Sequence, residues 1–179
     1  MESKLIYKNE ELELCEDFID VGYMAENFEA HDFYDNIIEV KRSNIERSMT
    51  ILFSFPDASN GFLQEILKLD KFLSAIEVDI NCYLIFDKEH ENMAPLKNNL
   101  NKLIIIYDTE NEYGSMYGTQ IVSGTLENKL TKALFLISKD GAVFYLEMPN
   151  DLEKEFNIDR LRVELNKAYV SYTGVGCHG

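Results

Sequence analysis

Three short apolar runs constrain the fold of this chain more than any other feature of its sequence. They span residues 50–55, 80–86 and 103–107. Runs of this length are typical of strands buried on both faces of a parallel sheet. Between the first two, apolar residues recur at three- and four-residue steps from Phe62 to Ile76, which predicts an amphipathic helix. The mixed segment 88–100 predicts a second helix, limited or kinked by Pro95.

The two ends of the chain carry hairpin and helix signals. Segments 5–7 and 12–14 flank Asn9-Glu10 and predict a short hairpin, and segment 37–40 predicts another short strand. Asp140-Gly141 joins apolar runs at 133–138 and 142–147, a strong hairpin signal because both turn residues tolerate positive φ. Segment 158–169 predicts a final amphipathic helix. Together these elements predict an α/β, thioredoxin-like fold: a central mixed sheet flanked by helices, with an N-terminal β-hairpin.

The length of the chain limits the number of domains, and its net charge limits the classes of partner. A chain of 179 residues suits one domain, expected over residues 1–172, followed by a flexible Gly-rich tail at 173–179. The net charge of −15 argues against nucleic acid and against an anionic membrane surface as partners. Residues 9–35 hold ten carboxylates and no Lys or Arg. This acidic run predicts a solvated face, or alternatively a docking face for a basic partner.

The cysteines and the apolar runs indicate a compartment. No apolar run approaches the ~20 residues of a membrane-spanning helix, and the N-terminus lacks the apolar core of a signal peptide. The three cysteines form no CxxC motif, and their odd count suits free thiols in a reducing compartment. We therefore expect a cytoplasmic protein.

Five segments, taken in order, carry a likeness to a known family. They are Val21–Phe28, Ser54-Phe55-Pro56, Tyr117-Gly118, Lys132–Gly141 and Tyr145–Glu147. Val21–Phe28 is similar to a VGdxAPdF segment, with Glu26 in place of proline, and Ser54-Phe55-Pro56 is similar to the strand before the catalytic loop. Tyr117-Gly118 is similar to a YGV turn. Lys132–Gly141 is similar to an RAxFVxDKDG hairpin, and Tyr145–Glu147 to a YVE strand. The chain thus resembles the thiol peroxidases, the atypical two-cysteine branch of the peroxiredoxins. The resemblance implies a thioredoxin-like fold and redox, antioxidant chemistry on hydroperoxides.

The residues at the matching catalytic positions differ from that family. Counting from Pro56 places Asn60 where the family has threonine and Leu63 where it has the peroxidatic cysteine. Leu96 falls at the position of the resolving cysteine, and Thr109 at the position assigned to the activating arginine. A peroxidatic site needs a thiolate with a lowered pKa, and leucine has no nucleophile. The resemblance therefore implies a degenerate site.

The remaining thiols and histidines give weaker candidates. Cys82 lies in an apolar run and is expected to be a small core residue, and Cys15 stands beside two carboxylates, which oppose ionisation of a thiol. Cys177, beside His178, is the remaining candidate for a redox thiol. Asp87, His90 and Glu91 lack the spacing of a metal site, so neither a metal nor a cofactor is expected.

Three functional readings follow. The first is a pseudoenzyme, a non-catalytic binding or regulatory homologue. As the resemblance implies, it would form a homodimer and would bind a thioredoxin-like or other protein partner. The alternative is a thiol-dependent peroxidase that reduces hydroperoxides through a displaced cysteine such as Cys177. A third reading treats the vacated pocket near Pro56, Asn60 and Thr109 as a small-ligand site, where a helix N-terminus offers N–H groups to an anion.

Overall fold

The structure, a computed structural model, describes residues 4–16, 19–43 and 47–171, without the side chain of residue 60. The strands in these residues are β1 (Leu5–Tyr7), β2 (Glu10–Leu12), β3 (Phe28–Asp32), β4 (Ile37–Val40), β5 (Met49–Ser54), β6 (Ile80–Phe86), β7 (Ile104–Tyr107), β8 (Ala133–Ile137) and β9 (Val143–Glu147). The helices are α1 (Asn60–Ser74), α2 (Met93–Asn98), α3 (Glu112–Met116) and α4 (Ile158–Val170). The tail 173–179 and its Cys177 lie outside the described residues, so the division at residue 172 stays a prediction.

Seven strands form one mixed sheet in the order β4-β3-β7-β6-β5-β8-β9. The central pairs β5–β6 and β6–β7 are parallel, and the outer pairs are antiparallel. Every residue of β5 is buried, which explains why its sequence is almost wholly apolar rather than alternating. The predicted fold class is confirmed.

The two faces of the sheet bury different side chains. In β5, Ile51 and Phe53 pack into a cluster with apolar residues of α1, α2 and α4, whereas Leu52 packs into a second cluster that includes Tyr113 of α3. Helices therefore cover both faces. Because β5, β6 and β7 run parallel and are adjacent, the two crossover helices α1 and α2 share one face, as right-handed connections require.

Both predicted hairpins form, but the N-terminal one is shifted: its turn is Lys8-Asn9 rather than Asn9-Glu10, and its second strand covers residues 10–12 rather than 12–14. Lys8 and Asn9 between β1 and β2 have φ of 48° and 67°, the positive values that a tight two-residue turn requires. Between β8 and β9, Gly141 has φ of 91°. The N-terminal hairpin is not part of the large sheet: it is a separate two-stranded unit, attached by a bridge between Ile6 and Asp151.

Several local predictions were incomplete. Strand β3 and helix α3 were not predicted, since Phe28–Asp32 alternates weakly and a five-residue helix is too short to show a period. Helix α2 is shorter than the predicted segment 88–100. Pro95 is its third residue, where the missing N–H costs no intrahelical bond. None of the helices in the described residues is long and apolar enough to cross a membrane.

Candidate functional site

The candidate site lies at the edge of the sheet where the three parallel strands end. In open α/β sheets, ligands bind beyond the carboxyl ends of parallel strands. Two backbone bonds shape this edge: the Phe55 N–H donates to Ile85 O at 3.3 Å, and the Asp108 N–H donates to Phe86 O at 2.8 Å. The buried Pro56 follows, and α1 begins four residues later at Asn60.

Leu63 lies in the first turn of α1. Its N–H donates to Ser59 O at 2.8 Å, which closes that turn. Its side chain is half-buried and packs against the larger hydrophobic cluster. Ser59 is the residue before the helix, but its hydroxyl makes no capping bond. At this position α1 thus presents a hydrocarbon side chain that can neither ionise nor attack a peroxide.

Leu96 occupies α2 and is buried in the same cluster. The structure therefore brings Leu63 and Leu96 to one hydrophobic core. Both side chains contribute packing, and neither can form or resolve a disulfide.

Thr109 lies apart from α1. It follows β7, which β6 separates from β5, so these two strands are about 10 Å apart. Thr109 is exposed, and its Oγ1 is 2.7 Å from Nδ1 of His31, which lies in β3. The polar partner of Thr109 is thus a ring nitrogen on the neighbouring antiparallel strand.

Sequence reasoning missed a buried cation that contacts α1. Lys132, just before β8, is 1% exposed, and its ammonium bonds to the carboxylate of Glu65, two residues after Leu63 in α1. The same ammonium donates to Lys154 O at 2.5 Å. It also lies 5.6 Å and 4.9 Å from the ring centroids of Phe55 and Phe156.

The Glu65 carboxylate is bound on its other side as well. Its second oxygen accepts the N–H of Phe156 at 2.6 Å. Burial raises the pKa of Glu65 and lowers the pKa of Lys132, and the attraction within the pair opposes both changes. Lys132 was noticed only as part of the RAxFVxDKDG likeness. No local sequence signal marks this lysine as buried, because lysine is rarely buried unless it is paired and its partner is 67 residues away.

The two cysteines within the described residues lie in different surroundings. Cys82 in β6 is buried, and burial raises the pKa of its thiol to about 12. Cys15 is half-buried beyond the N-terminal hairpin, and its thiol donates to Gly114 O at 3.5 Å. The structure gives no placement for Cys177.

Two further predictions concerned a metal and a small ligand at this edge. His90 Nε2 is 2.7 Å from Asp87 Oδ1, but the described residues contain no cluster of three or more potential metal ligands. Among the described residues, two surface depressions have volumes of about 280 and 770 Å³, and neither of these two is lined by Pro56 or Thr109. The small-ligand reading at Pro56, Asn60 and Thr109 stays a prediction.

Comparison with solved structures defines the class of fold. A peroxiredoxin-like protein from Aquifex aeolicus superposes with a TM-score of 0.84 at 16% identity, covering 93% of this chain and 97% of its own. A thiol peroxidase from Chromobacterium violaceum gives 0.79 at 16% identity with the same coverages. The mitochondrial 2-Cys peroxiredoxin from Plasmodium falciparum gives 0.67 at 20% identity, covering 88% and 99%. These likenesses show a peroxiredoxin-type thioredoxin-like fold.

The family of the chain is identified from its sequence. The Redoxin family model matches residues 22–161, which is well over half of the chain. The chain therefore belongs to the Redoxin family. A search of curated protein sequences found no match.

Proposed function

We propose that this chain is a peroxiredoxin-like member of the Redoxin family that has lost peroxidase chemistry and acts by binding. The observation that carries the proposal is Leu63, a leucine in the first turn of α1 where the resemblance calls for a thiol. Two features support it. Leu96 is buried hydrocarbon, and the buried cation near α1, Lys132, is already paired with Glu65.

The described thiols do not replace the missing one. A thiol must ionise to attack a peroxide, and burial opposes this for Cys82, whose pKa is raised to about 12. Cys15 lies in the segment after the N-terminal hairpin rather than in α1, and its thiol donates to Gly114 O of α3. Asn60, Leu63, Leu96 and Thr109 thus remain our assignment of the degenerate site.

Peroxide consumption coupled to a thioredoxin system tests the proposal. We expect that neither the purified chain nor a variant with all three cysteines replaced by serine consumes hydroperoxide faster than a reaction without the chain, with an active peroxiredoxin as positive control. Robust turnover that survives loss of all three cysteines, or that depends on Cys15 or Cys82, would contradict the proposal.

The alternative function is a thiol-dependent peroxidase acting through Cys177. It predicts turnover that disappears in Cys177→Ser alone. Mass spectrometry after peroxide treatment would then find Cys177 as a sulfenic acid or a disulfide. An unmodified Cys177 would exclude this alternative.

A protein that acts by binding needs a binding partner. We propose a homodimer and a thioredoxin-like or other protein partner, in keeping with the family resemblance. We also propose a cytoplasmic location, in keeping with an odd number of cysteines without a CxxC motif. Sedimentation velocity would reveal the dimer, and a monomer at all concentrations tested would exclude it.

A further inference from the structure

Of these two depressions, the one with a volume of about 770 Å³ lies between the N-terminal hairpin and the β9 side of the molecule. Backbone bonds hold both of its sides. On one side the Ile6 N–H donates to Asn150 O at 2.7 Å, and on the other the Cys15 N–H donates to Gln120 O at 3.0 Å. Because both sides are fixed by main-chain bonds, the depression is preformed, as small-molecule sites usually are.

Its size and walls suit a small organic molecule. The volume of about 770 Å³ falls within the range typical of ligand sites, roughly 300–1,000 Å³. Leucines 5, 12 and 14 from the hairpin side and Leu146 and Met148 from the β9 side supply the apolar part of the lining. An apolar ligand body would therefore be removed from water on two sides.

One polar group in the lining lacks a partner. Thr131 is fully buried, and its main chain is satisfied: its N–H donates to Thr119 O at 2.8 Å and its carbonyl accepts from Ser54 Oγ at 2.8 Å. Its Oγ1, by contrast, has no hydrogen-bond partner among the residues that the structure describes. A buried hydroxyl without a partner needs an explanation, and a ligand that displaces the groups covering it is one.

The mouth of the depression is acidic. Glu11, Glu13 and Glu16 line it and are all exposed, and Lys4 is the lining cation, 3.6 Å from Glu11. The carboxylates therefore outnumber the ammonium there by two. This part of the acidic run at 9–35 faces a cavity rather than open solvent alone.

From these observations we propose that the depression binds a small organic cation, an amine with an apolar body and a hydroxyl group. The hydroxyl bonds to Thr131, the apolar body lies between the hairpin and Met148, and the ammonium lies among the carboxylates at the mouth. This site is independent of the proposed loss of peroxidase activity.

A matched set of probes tests the proposal on the full chain. Straight-chain ω-amino alcohols of four to ten carbons are titrated into ¹⁵N-labelled protein, alongside the alkylamine and the alkanol of each length. We expect the amides of the lining residues to shift, with one chain length binding tightest. At that length the amino alcohol should bind about two- to tenfold more tightly than the alkylamine, the value of one added hydrogen bond.

Three variants assign the contacts. Thr131→Val keeps the shape and removes only an unpartnered hydroxyl, so the fold should be retained and the advantage of the amino alcohol over the alkylamine should vanish. Glu13→Gln with Glu16→Gln should weaken both amines about two- to fivefold at low salt and leave the alkanol unchanged. Glu127→Gln, at an exposed acid outside the lining, serves as the charge control.

Alkylation of Cys15 gives an independent readout, because Cys15 lines the depression and Cys82 is buried. In a Cys177→Ser background, a saturating amino alcohol should slow the reaction of iodoacetamide with Cys15. The proposal is overturned if no probe shifts the lining amides, if amino alcohol and alkylamine bind equally, if Thr131→Val keeps the difference, or if the probe leaves alkylation of Cys15 unchanged.

Discussion

Cys82 and Asp108 are single residues whose chemistry is set by burial. Cys82 lies inside the central strand β6, and its Sγ is 3.8 Å from Ile80 O of the same strand. Asp108 directly follows β7, and its two carboxylate oxygens accept the N–H groups of Tyr113 and Gly114 at 3.0 and 2.7 Å. Loss of water around each group raises its pKa: the Cys82 thiol to about 12 and the Asp108 carboxyl to about 6.

The first residue-scale prediction is that Cys82 is unreactive in the folded protein. Only the thiolate reacts with a disulfide reagent, and at pH 8 a buried thiol with a pKa of about 12 holds its proton. In a Cys15→Ser, Cys177→Ser background we expect no labelling by Ellman's reagent in buffer and one thiol per chain in 6 M guanidinium chloride. Stoichiometric labelling of the native protein within minutes would contradict the assignment.

The second residue-scale prediction concerns how the free energy of unfolding changes with pH. Between the ordinary aspartate pKa near 4 and the raised value of about 6, folded Asp108 keeps a proton that the unfolded chain has released. The contribution of protonated Asp108 to the free energy of unfolding is therefore complete below about pH 4 and is lost as the pH rises through about 6. Relative to Asp108→Asn, the wild-type free energy of unfolding should fall by about 2 kcal/mol between pH 4 and pH 7.

Urea unfolding of both proteins across this pH range measures the difference. A ¹³C titration of the Asp108 carboxyl should give a midpoint near 6. A pH-independent difference in free energy, or a midpoint near 4, would show that the carboxyl is not desolvated.

At the scale of elements, two carboxylates of α1 connect that helix to the rest of the fold. Glu65 links it to Lys132 before β8 and to Phe156 in the segment before α4. Asp70, a turn and a half further on, accepts the N–H groups of Asn101, Lys102 and Leu103 at 2.8–2.9 Å and so fixes the approach to β7. Helix α1 is thus oriented by polar bonds as well as by its apolar face.

The prediction at this scale compares two lysines. Lys132→Met leaves the Glu65 carboxylate buried without its cation and should cost about 3–5 kcal/mol. Lys68 in α1 pairs with Glu155 at 3.3 Å, but both side chains are more than half exposed. Lys68→Met should therefore cost less than ~1 kcal/mol.

Chemical denaturation of both variants gives these values, and a Glu65→Leu, Lys132→Met double variant should recover much of the loss because no unpaired charge remains. Equal costs for the two lysine variants would mean that the buried pair contributes no more than a surface pair.

At the scale of the whole molecule, the dominant property is the net charge of −15. Among the described residues of the acidic run, most carboxylates are exposed, and some have local partners: Glu10 Oε1 accepts from Thr125 Oγ1 at 2.6 Å, and Asp32 accepts the N–H groups of Tyr34 and Asn36. These bonds do not cancel charge. The folded chain therefore holds many like charges close together, which opposes compactness.

We predict that salt stabilises this protein. Raising NaCl from 0.01 M to 0.15 M shortens the screening length from about 30 Å to about 8 Å and should raise the thermal midpoint. A control variant with Glu77→Gln, Asp79→Asn and Glu127→Gln changes three exposed acids and brings the net charge from −15 to −12. The thermal midpoint of this variant should rise less over the same range of NaCl than that of the wild type. A midpoint that falls with salt in the wild type would show that favourable ion pairs outweigh the repulsion.

Much of the fold could be predicted from the sequence because many of its strands, helices and turns have a recognisable local sequence pattern. The buried strands at 50–55, 80–86 and 103–107, the Asp-Gly turn and the long helices α1 and α4 were each predicted within about two residues of their observed bounds. Strand β3 and helix α3 were not predicted. Their formation depends on pairing with β7 and on the buried Asp108, which no local period reveals.

The sequence by itself determined the order of most elements and the residues at the positions that we propose as a degenerate site: a leucine at position 63 is a leucine in any fold. Only the tertiary structure decided which groups meet. It paired Lys132 with Glu65 across 67 residues and buried Cys82 and Asp108 deeply enough to shift their pKa values. It also placed Glu11, Glu13 and Glu16 in the lining of a depression that includes Thr131, whose hydroxyl has no partner among the described residues. Desolvation and long-range pairing depend on the packed three-dimensional arrangement, whereas hydrophobic periodicity depends only on neighbours along the chain.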